Sequence, residues 1–122
     1  MKERMNLKKT DVVVDHDFFC IEENGKVKVN FYIETWFDVD RYFNKKTENT
    51  NDYINMYVNI DENNNVTASY CIVSDTGNEY NDWELSEEEK TMFLELCNDT
   101  VLEEEHMNIS EFIAANGYEE AV

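Results

Sequence analysis

Hydrophobic and polar residues alternate with a period of two in three segments of the chain, residues 26–37, 53–61 and 66–74. The apolar positions that share one side are Val27, Val29, Phe31 and Ile33; Ile54, Met56, Val58 and Ile60; and Val66, Ala68, Tyr70 and Ile72. Successive side chains of a strand point to opposite faces, so each segment can bury one face and leave the other in water. The pattern therefore predicts three half-buried strands of an antiparallel sheet.

A fourth strand is predicted before the first of these segments, because Asn24-Gly25 is a strong two-residue hairpin signal. The turn sets a register that pairs Glu23 with Lys26, Glu22 with Val27, Cys20 with Val29, Phe18 with Phe31, His16 with Ile33, Val14 with Thr35 and Val12 with Phe37. This register gathers the apolar residues of both strands on one face, as burial requires. It also places His16 on the inner face, where we expect a hydrogen-bonded core histidine.

The second hairpin is predicted to have a loop at residues 61–65. A two-residue turn at Asn63-Asn64 would turn the apolar residues of one strand outward, because a shift of one residue exchanges the two faces. The five-residue loop, or a three-residue loop of the same parity, avoids this. The predicted pairs are Ile60 with Val66, Val58 with Ala68, Met56 with Tyr70 and Ile54 with Ile72.

The C-terminal third is predicted to be mainly helical, after a short fifth strand within residues 79–85. Ser86 and Glu89 have the spacing of a capping box, which starts a helix. The polar residues 98–100 are a candidate break in the apolar stripe of this helix. A second helix is predicted to start at Asn108, with Glu111 in its capping box, and to stop at Asn116-Gly117.

The predicted fold is therefore α+β: a four- or five-stranded antiparallel sheet, mostly a meander, with the C-terminal helices packed on one face. A chain of 122 residues is expected to be one domain. Residues 1–10 are expected to be a flexible N-terminus and residues 44–52 a mobile loop. Beyond the strand residues given above, the predicted core contains Val12, Val14, Phe18, Phe93, Leu94, Cys97, Val101, Phe112 and Ile113.

Charge is distributed unevenly along the chain, which has a formal net charge of −18. Residues 1–74 contain 13 acidic and 9 basic side chains, whereas residues 75–122 contain 15 acidic side chains and one basic side chain. Like charges repel, so this excess argues against direct binding to nucleic acid or to an anionic membrane. It favours a basic protein as the partner, although solubility alone could account for it.

The sequence offers no supported catalytic, cofactor-binding or metal-binding residues, and we expect a protein that is not an enzyme. Asp75-Thr76-Gly77 matches the triplet of aspartic proteases, but three glycines in the whole chain do not supply their loops, and a turn is the simpler interpretation. Residues 61–65 resemble half of an EF-hand loop without its glycine and final glutamate, which leaves only weak, adventitious Ca²⁺ binding open. The three cysteines are expected to be buried thiols of a cytoplasmic protein, since no secretory signal opens the chain.

The first helical segment contains the main candidate site. Its eight acidic residues are Glu87, Glu88, Glu89, Glu95, Asp99, Glu103, Glu104 and Glu105. If the segment is helical throughout, it presents one carboxylate per ~4 Å of axis, compared with one phosphate per ~3.4 Å of a DNA strand. The hypothesis is a nucleic-acid-mimicking inhibitor or regulator of a basic, nucleic-acid-binding protein. An ordinary solvated helix face is the competing interpretation.

A second candidate surface is the outer face of the sheet, where the alternation places Tyr32, Trp36, Tyr53 and Tyr57. Aromatic residues are enriched at interface cores. The alternative hypothesis is therefore an interaction module, or a homodimer, that uses this face, while the acidity serves only solubility.

Four stretches of the sequence, residues 36–43, 57–60, 74–77 and 85–90, resemble small uncharacterised acidic proteins carried by conjugative elements and phages of low-GC Gram-positive bacteria. In this sequence they read Trp36-Phe37-Asp38-Val39-Asp40-Arg41-Tyr42-Phe43, Tyr57-Val58-Asn59-Ile60, Ser74-Asp75-Thr76-Gly77 and Leu85-Ser86-Glu87-Glu88-Glu89-Lys90. The resemblance implies no catalytic residues. It implies a context in which small acidic proteins block restriction or CRISPR nucleases, some of them by mimicking DNA.

Overall fold

A computed structural model describes residues 7–35, 53–73 and 81–117 of the chain. The strands in these ranges are β1 (Val12–Val14), β2 (Phe19–Glu23), β3 (Lys26–Thr35), β4 (Tyr53–Asp61), β5 (Val66–Val73) and β6 (Asn81–Trp83). The helices are α1 (Glu87–Glu105) and α2 (Ile109–Phe112); a 3₁₀ turn at Lys9–Asp11 precedes β1 and a π-helical turn at Ile113–Gly117 follows α2. The expected mobile loop at residues 44–52 lies outside these ranges.

The strands form one antiparallel sheet in which β1 and β2 both pair with β3, followed by β4, β5 and β6. This order is a meander, and α1 and α2 lie against the sheet, so the predicted α+β fold is confirmed. The Asn24-Gly25 turn is confirmed as well, because both residues have positive φ, 54° and 79°, as a type I′ turn requires. In β2 the predicted register holds, with Glu23 opposite Lys26 and Cys20 opposite Val29.

The loop between β4 and β5 has the predicted length, and all four predicted pairs of this hairpin are present. Its shape is fixed by the buried carboxylate of Asp61, which accepts hydrogen bonds from the backbone N–H groups of Asn63 and Asn65 and from the Asn65 side-chain amide, at 2.9, 2.9 and 3.0 Å. Burial alone would raise the pKa of Asp61. The hydrogen bonds from Asn65 and Asn63, together with the charge of Lys26, outweigh it and lower this pKa below its ordinary value.

The register predicted for the first strand is wrong upstream of β2. Val14 lies opposite Ile33 and Val12 opposite Thr35, two residues away from the predicted pairs. The cause is a bulge at residues 15–18, which adds two residues to one strand; the Asp15 carboxylate accepts the backbone N–H of Asp17 across it at 2.8 Å. A shift of two residues preserves the faces, so Val12 and Val14 are buried as predicted.

His16 lies in this bulge and is exposed, which corrects the prediction of a core histidine. The inner face is filled here by Phe18 instead, whose half-buried ring lies 5.5 Å from that of Phe31 and 5.2 Å from that of Phe112. The bulge thus turns His16 to solvent and keeps Phe18 on the inner face.

One hydrophobic core lies between the inner face of the sheet and the helices, and both contribute residues to it. Most of the predicted core residues are buried in it; Phe18, Val27, Tyr70 and Leu94 are half-buried and pack against it. Two further predicted core residues, Ile54 and Ile72, belong to strands whose backbone is described, but their side chains are not among the described ones. The core also includes residues that the sequence pattern missed, namely Leu7, Trp83, Met92 and Ile109.

Both predicted capping boxes are present: Ser86 with Glu89 begins α1, and Asn108 with Glu111 begins α2. The candidate interruption at residues 98–100 does not occur, because α1 continues to Glu105, with the Thr100 hydroxyl donating to the Leu96 carbonyl at 2.8 Å. Within the N-terminus expected to be flexible, Leu7 is buried and Lys9 and Thr10 belong to the 3₁₀ turn.

Candidate interaction surfaces

Helix α1 presents seven of the eight predicted acidic residues to solvent. We call them the acidic surface, and they are Glu87, Glu88, Glu95, Asp99, Glu103, Glu104 and Glu105. They do not form one stripe. At 100° per residue, Glu88, Glu95, Asp99 and Glu103 follow one flank of the helix, while Glu87 and Glu105 lie on the other flank.

Glu89 does not belong to this surface, which corrects its predicted role as a contact residue. Its side chain is fully buried. One carboxylate oxygen accepts the backbone N–H of Ser86 at 3.0 Å, and the other accepts the backbone N–H of Leu7 at 2.9 Å. The same residue that closes the capping box therefore ties the N-terminal segment to α1.

Cationic side chains compensate three carboxylates of the acidic surface. Lys9 Nζ lies 2.9 Å from Glu95 Oε1, and Lys90 Nζ lies 3.5 Å from Glu87 Oε1 within the first turns of α1. The His16 Nδ1 atom lies 2.8 Å from Glu104 Oε1 and forms an ion pair when the imidazole is protonated. All these pairs are solvent-exposed, so they reduce the local charge more than they stabilise the fold.

The C-terminal end of α1 contains the least compensated carboxylates. No hydrogen bond or ion pair joins the side chains of Asp99, Glu103 and Glu105 to another group in the described ranges. Helix C-termini have negative partial charge, so each anion near this end costs about 0.3–1 kcal/mol. The helix has no basic residue in its last turn to offset this. Negative charge stabilises the N-terminal turn of a helix, so Glu87 and Glu88 favour α1, whereas the carboxylates of its last turn do not.

The spacing on the main acidic flank is wider than that of a nucleic-acid backbone. Glu88 and Glu103 are 15 residues apart, roughly 22 Å along the axis, and four carboxylates share this length. One carboxylate per ~7 Å is about half the density of phosphates along a DNA strand. The ~4 Å spacing expected from the sequence counted side chains that point in different directions.

The second predicted surface is the outer face of the sheet. Tyr32 and Tyr57 lie opposite each other on β3 and β4, with ring centroids 5.4 Å apart, and the Tyr32 hydroxyl donates to Asn55 Oδ1 at 3.1 Å. Trp36 lies outside the described residues. Tyr53 begins β4, but its side chain is not described either.

The centre of this outer face contains no charged side chain in the described strands. Six outward residues, which we call the neutral centre, are Asn30, Tyr32, Tyr57, Asn59, Thr67 and Ser69. An open hollow of about 370 Å³ lies over Asn30, Tyr57, Asn59 and Ser69. Phe19, paired with Asn30, is 52% exposed beside it. Among the described strand residues, outward charged side chains lie at the rim, with Lys28 and Asp61 at one end, Glu34 at the other and Asp82 on one side.

The described residues contain no group of three or more His, Cys, Asp or Glu side chains arranged to hold a metal ion. Cys20, Cys71 and Cys97 are buried, as expected. Burial raises the pKa of the Cys97 thiol far above its ordinary value, so this thiol is neutral and a poor nucleophile. The triplet Asp75-Thr76-Gly77 lies outside the described ranges.

Comparison of the chain with protein-family models, with curated proteins and with solved structures finds no match. None of the helices in the described ranges combines the length and the apolar character that crossing a bilayer would need.

Proposed function

We propose that the protein is a cytoplasmic binding protein that docks the acidic surface of α1 onto a basic partner protein. The observation that supports this most is the position of Asp99, Glu103 and Glu105. These carboxylates are exposed and lack a cation in the described ranges, and Glu103 and Glu105 lie in the last turn of the helix, which disfavours negative charge. A cationic surface would relieve that unfavourable arrangement on binding.

The proposed partner is a protein with a Lys- and Arg-rich surface, which is the electrostatic footprint of nucleic-acid-binding proteins. The resemblance to proteins of mobile elements favours a restriction or CRISPR nuclease within that class. The ~7 Å spacing on the main flank supports general charge complementarity better than a residue-by-phosphate copy of DNA. Electrostatic steering by a net charge of −18 would make association fast and sensitive to salt.

The proposal is tested by capturing partners at low salt and measuring the affinity of each purified partner for two variants. The test variant carries Asp99→Asn, Glu103→Gln and Glu105→Gln. The matched control carries Glu22→Gln, Glu23→Gln and Glu34→Gln, three exposed acids on β2 and β3. Both variants lose three negative charges, so they differ only in where the charge is removed.

We expect the test variant to bind at least about tenfold more weakly, the equivalent of ~1.4 kcal/mol, while the control stays close to the unmodified protein. Binding should also weaken when salt is raised from low to physiological concentration. If both variants bind equally well, the contact does not involve the C-terminal part of α1. An affinity that salt leaves unchanged would also contradict the proposal.

A further inference from the structure

We propose that a hollow beside the C-terminal half of α1 is a subsite that receives one arginine side chain of the basic partner. The hollow, which we call the Asp99 hollow, lies where α1, the start of α2 and the β4–β5 loop meet. Its lining consists of Asn64, Asn98, Asp99, Leu102, Asn108 and Ser110. The proposal rests on the proposed function of the acidic surface, to which Asp99 belongs, and names the group that this part of the surface recognises.

The size of the Asp99 hollow suits one long side chain. Its volume is about 220 Å³, which is below the ~300–1,000 Å³ of pockets that enclose a drug-sized ligand. At ~30 Å³ for each water-sized group, the hollow has room for about seven such groups. This number matches the non-hydrogen atoms of an arginine side chain, so the hollow fits a single residue of a partner better than a whole small molecule.

Hydrogen bonds hold the walls of the hollow together. The Asn98 Oδ1 atom accepts the backbone N–H of Ile109 at 3.2 Å and joins α1 to α2. The Ser110 hydroxyl donates to the Glu62 carbonyl at 3.0 Å and joins α2 to the β4–β5 loop. A preorganised site loses less conformational entropy when its ligand binds, so these two links between elements favour affinity.

The charge of the hollow selects a cation. Asp99 is the only ionisable residue in the lining, and no hydrogen bond or ion pair joins its carboxylate to another group in the described ranges. The asparagine amides of the lining can donate as well as accept hydrogen bonds, so they do not determine the charge of the ligand. The carboxylate does, because it repels anions and attracts a positive group.

The number of acceptors favours arginine over lysine. A guanidinium group has five N–H donors in a planar fork, whereas an ammonium group is a compact point charge. Besides the two oxygens of Asp99, the hollow offers the Ser110 hydroxyl, which keeps its lone pairs because its proton is donated to Glu62. It also offers the Asn64 amide, which is bonded to no other side chain in the described ranges. A guanidinium group can satisfy more of these acceptors at once.

Leu102 provides apolar surface for the stem of the arginine. It is 55% exposed and is one of three large hydrophobic side chains that the described residues expose; the other two, Val13 and Phe19, belong to the sheet. Leu102 follows Asp99 by three positions, so the two are neighbours on the surface of α1. Arginine buries its methylene groups on apolar surface while its charged head reaches a polar partner. The pair of Leu102 and Asp99 offers both contacts.

The subsite is tested with three short probes in two-dimensional ¹H–¹⁵N NMR titrations at a fixed ionic strength. The probes are the acetylated and amidated tripeptides Gly-Arg-Gly, Gly-Lys-Gly and Gly-citrulline-Gly, of which the last keeps the shape of arginine without its charge. The side-chain amide signals of Asn64, Asn98 and Asn108 report binding at the hollow.

Three variants accompany the probes. Asp99→Asn and Glu103→Gln are a matched pair: both residues are exposed acids on the same flank of α1, and each substitution removes one negative charge, but only Asp99 lines the hollow. Leu102→Gln removes apolar surface at an exposed position. Far-UV circular dichroism verifies that each variant is folded.

We expect the arginine probe to bind with a dissociation constant of about 1 mM, an affinity suited to a ligand that is recognised through one side chain. The lysine probe should bind at least about threefold more weakly, and the citrulline probe should not saturate the signals. Asp99→Asn should raise the dissociation constant of the arginine probe at least about tenfold, and Leu102→Gln should raise it about threefold. Glu103→Gln should change it less than about twofold.

The subsite is overturned by a lysine or citrulline probe that binds as well as the arginine probe, by equal effects of Asp99→Asn and Glu103→Gln, or by amide signals that do not saturate by about 10 mM. The proposed function fails separately, because it is judged on the affinity of a purified partner for the triple variant and its control. A partner that loses affinity for the triple variant, but loses it equally for Asp99→Asn and Glu103→Gln, retains the acidic surface as the contact and overturns only the arginine subsite.

Discussion

Replacing Glu89 with glutamine should destabilise the protein strongly, although the two side chains are nearly identical in shape. Both carboxylate oxygens of Glu89 are hydrogen-bond acceptors in a fully buried site, one for Ser86 N–H and one for Leu7 N–H. A glutamine amide has only one acceptor oxygen. In either orientation, its NH₂ group faces a backbone N–H, so one buried donor loses its partner.

The expected cost follows from these contacts. A hydrogen bond to a charged group contributes about 1.5–3 kcal/mol, and leaving a buried donor unsatisfied costs about 1–3 kcal/mol. Loss of a negative charge in the first turn of α1 adds about 0.3–1 kcal/mol. Because the first two figures partly describe the same loss, we expect a total of about 3–5 kcal/mol, a large share of the ~5–15 kcal/mol that holds a domain folded.

Urea unfolding followed by circular dichroism measures this effect. With a slope of about 2 kcal/mol per molar urea, the midpoint should fall by roughly 2 M. Glu87→Gln is the matched control, since Glu87 lies in the same turn but its side chain is 91% exposed. That variant should lose no more than a few tenths of a kcal/mol. If Glu89→Gln unfolds within ~1 kcal/mol of Glu87→Gln, the buried carboxylate does not have the role assigned to it.

Two further predictions concern stability. The pKa of Asp61 is lowered in the folded state, so its ionisation stabilises the fold above its ordinary value of 3.8, and this contribution is lost as the pH falls through the lowered folded value. Asp61→Asn should therefore cost about 1–3 kcal/mol at pH 7 and progressively less below pH 3.8 in urea titrations; a cost that does not change with pH would contradict this. His106 ends α1 with φ 59° and ψ 33°, a left-handed conformation that favours glycine. His106→Gly should raise the free energy of unfolding by about 1 kcal/mol, whereas His106→Ala, which keeps the Cβ atom, should not.

The hairpins could be predicted from sequence because their information is local. Asn24-Gly25 fixes one turn, and the parity of the apolar residues fixes the length of the other, so two registers follow without knowledge of the tertiary structure. The bulge at residues 15–18 could not be found in this way. A shift of two residues leaves Val12 and Val14 on the same face, so the alternation does not distinguish the two registers.

Glu89 illustrates a second limit of the sequence. The capping box predicted one of its bonds, which an exposed glutamate could also make. Its second bond comes from Leu7, which is 82 residues away in the chain, and no local pattern predicts it. Among the eight predicted contact residues, seven are exposed, and helical periodicity places Glu88, Glu95, Asp99 and Glu103 opposite the apolar stripe. Compensation by Lys9 and His16 again depends on residues distant in sequence.

The bulge at residues 15–18 also shortens the edge strand of the sheet. Unpaired N–H and C=O groups along a long border strand can recruit strands of other molecules and start aggregation. Here β1 and β2 offer only three and five residues on either side of the bulge, and β6 on the opposite border has three. Removing Asp15 and His16 would fuse β1 and β2 into one straight border strand, and the resulting protein should form fibrils more readily than the native chain.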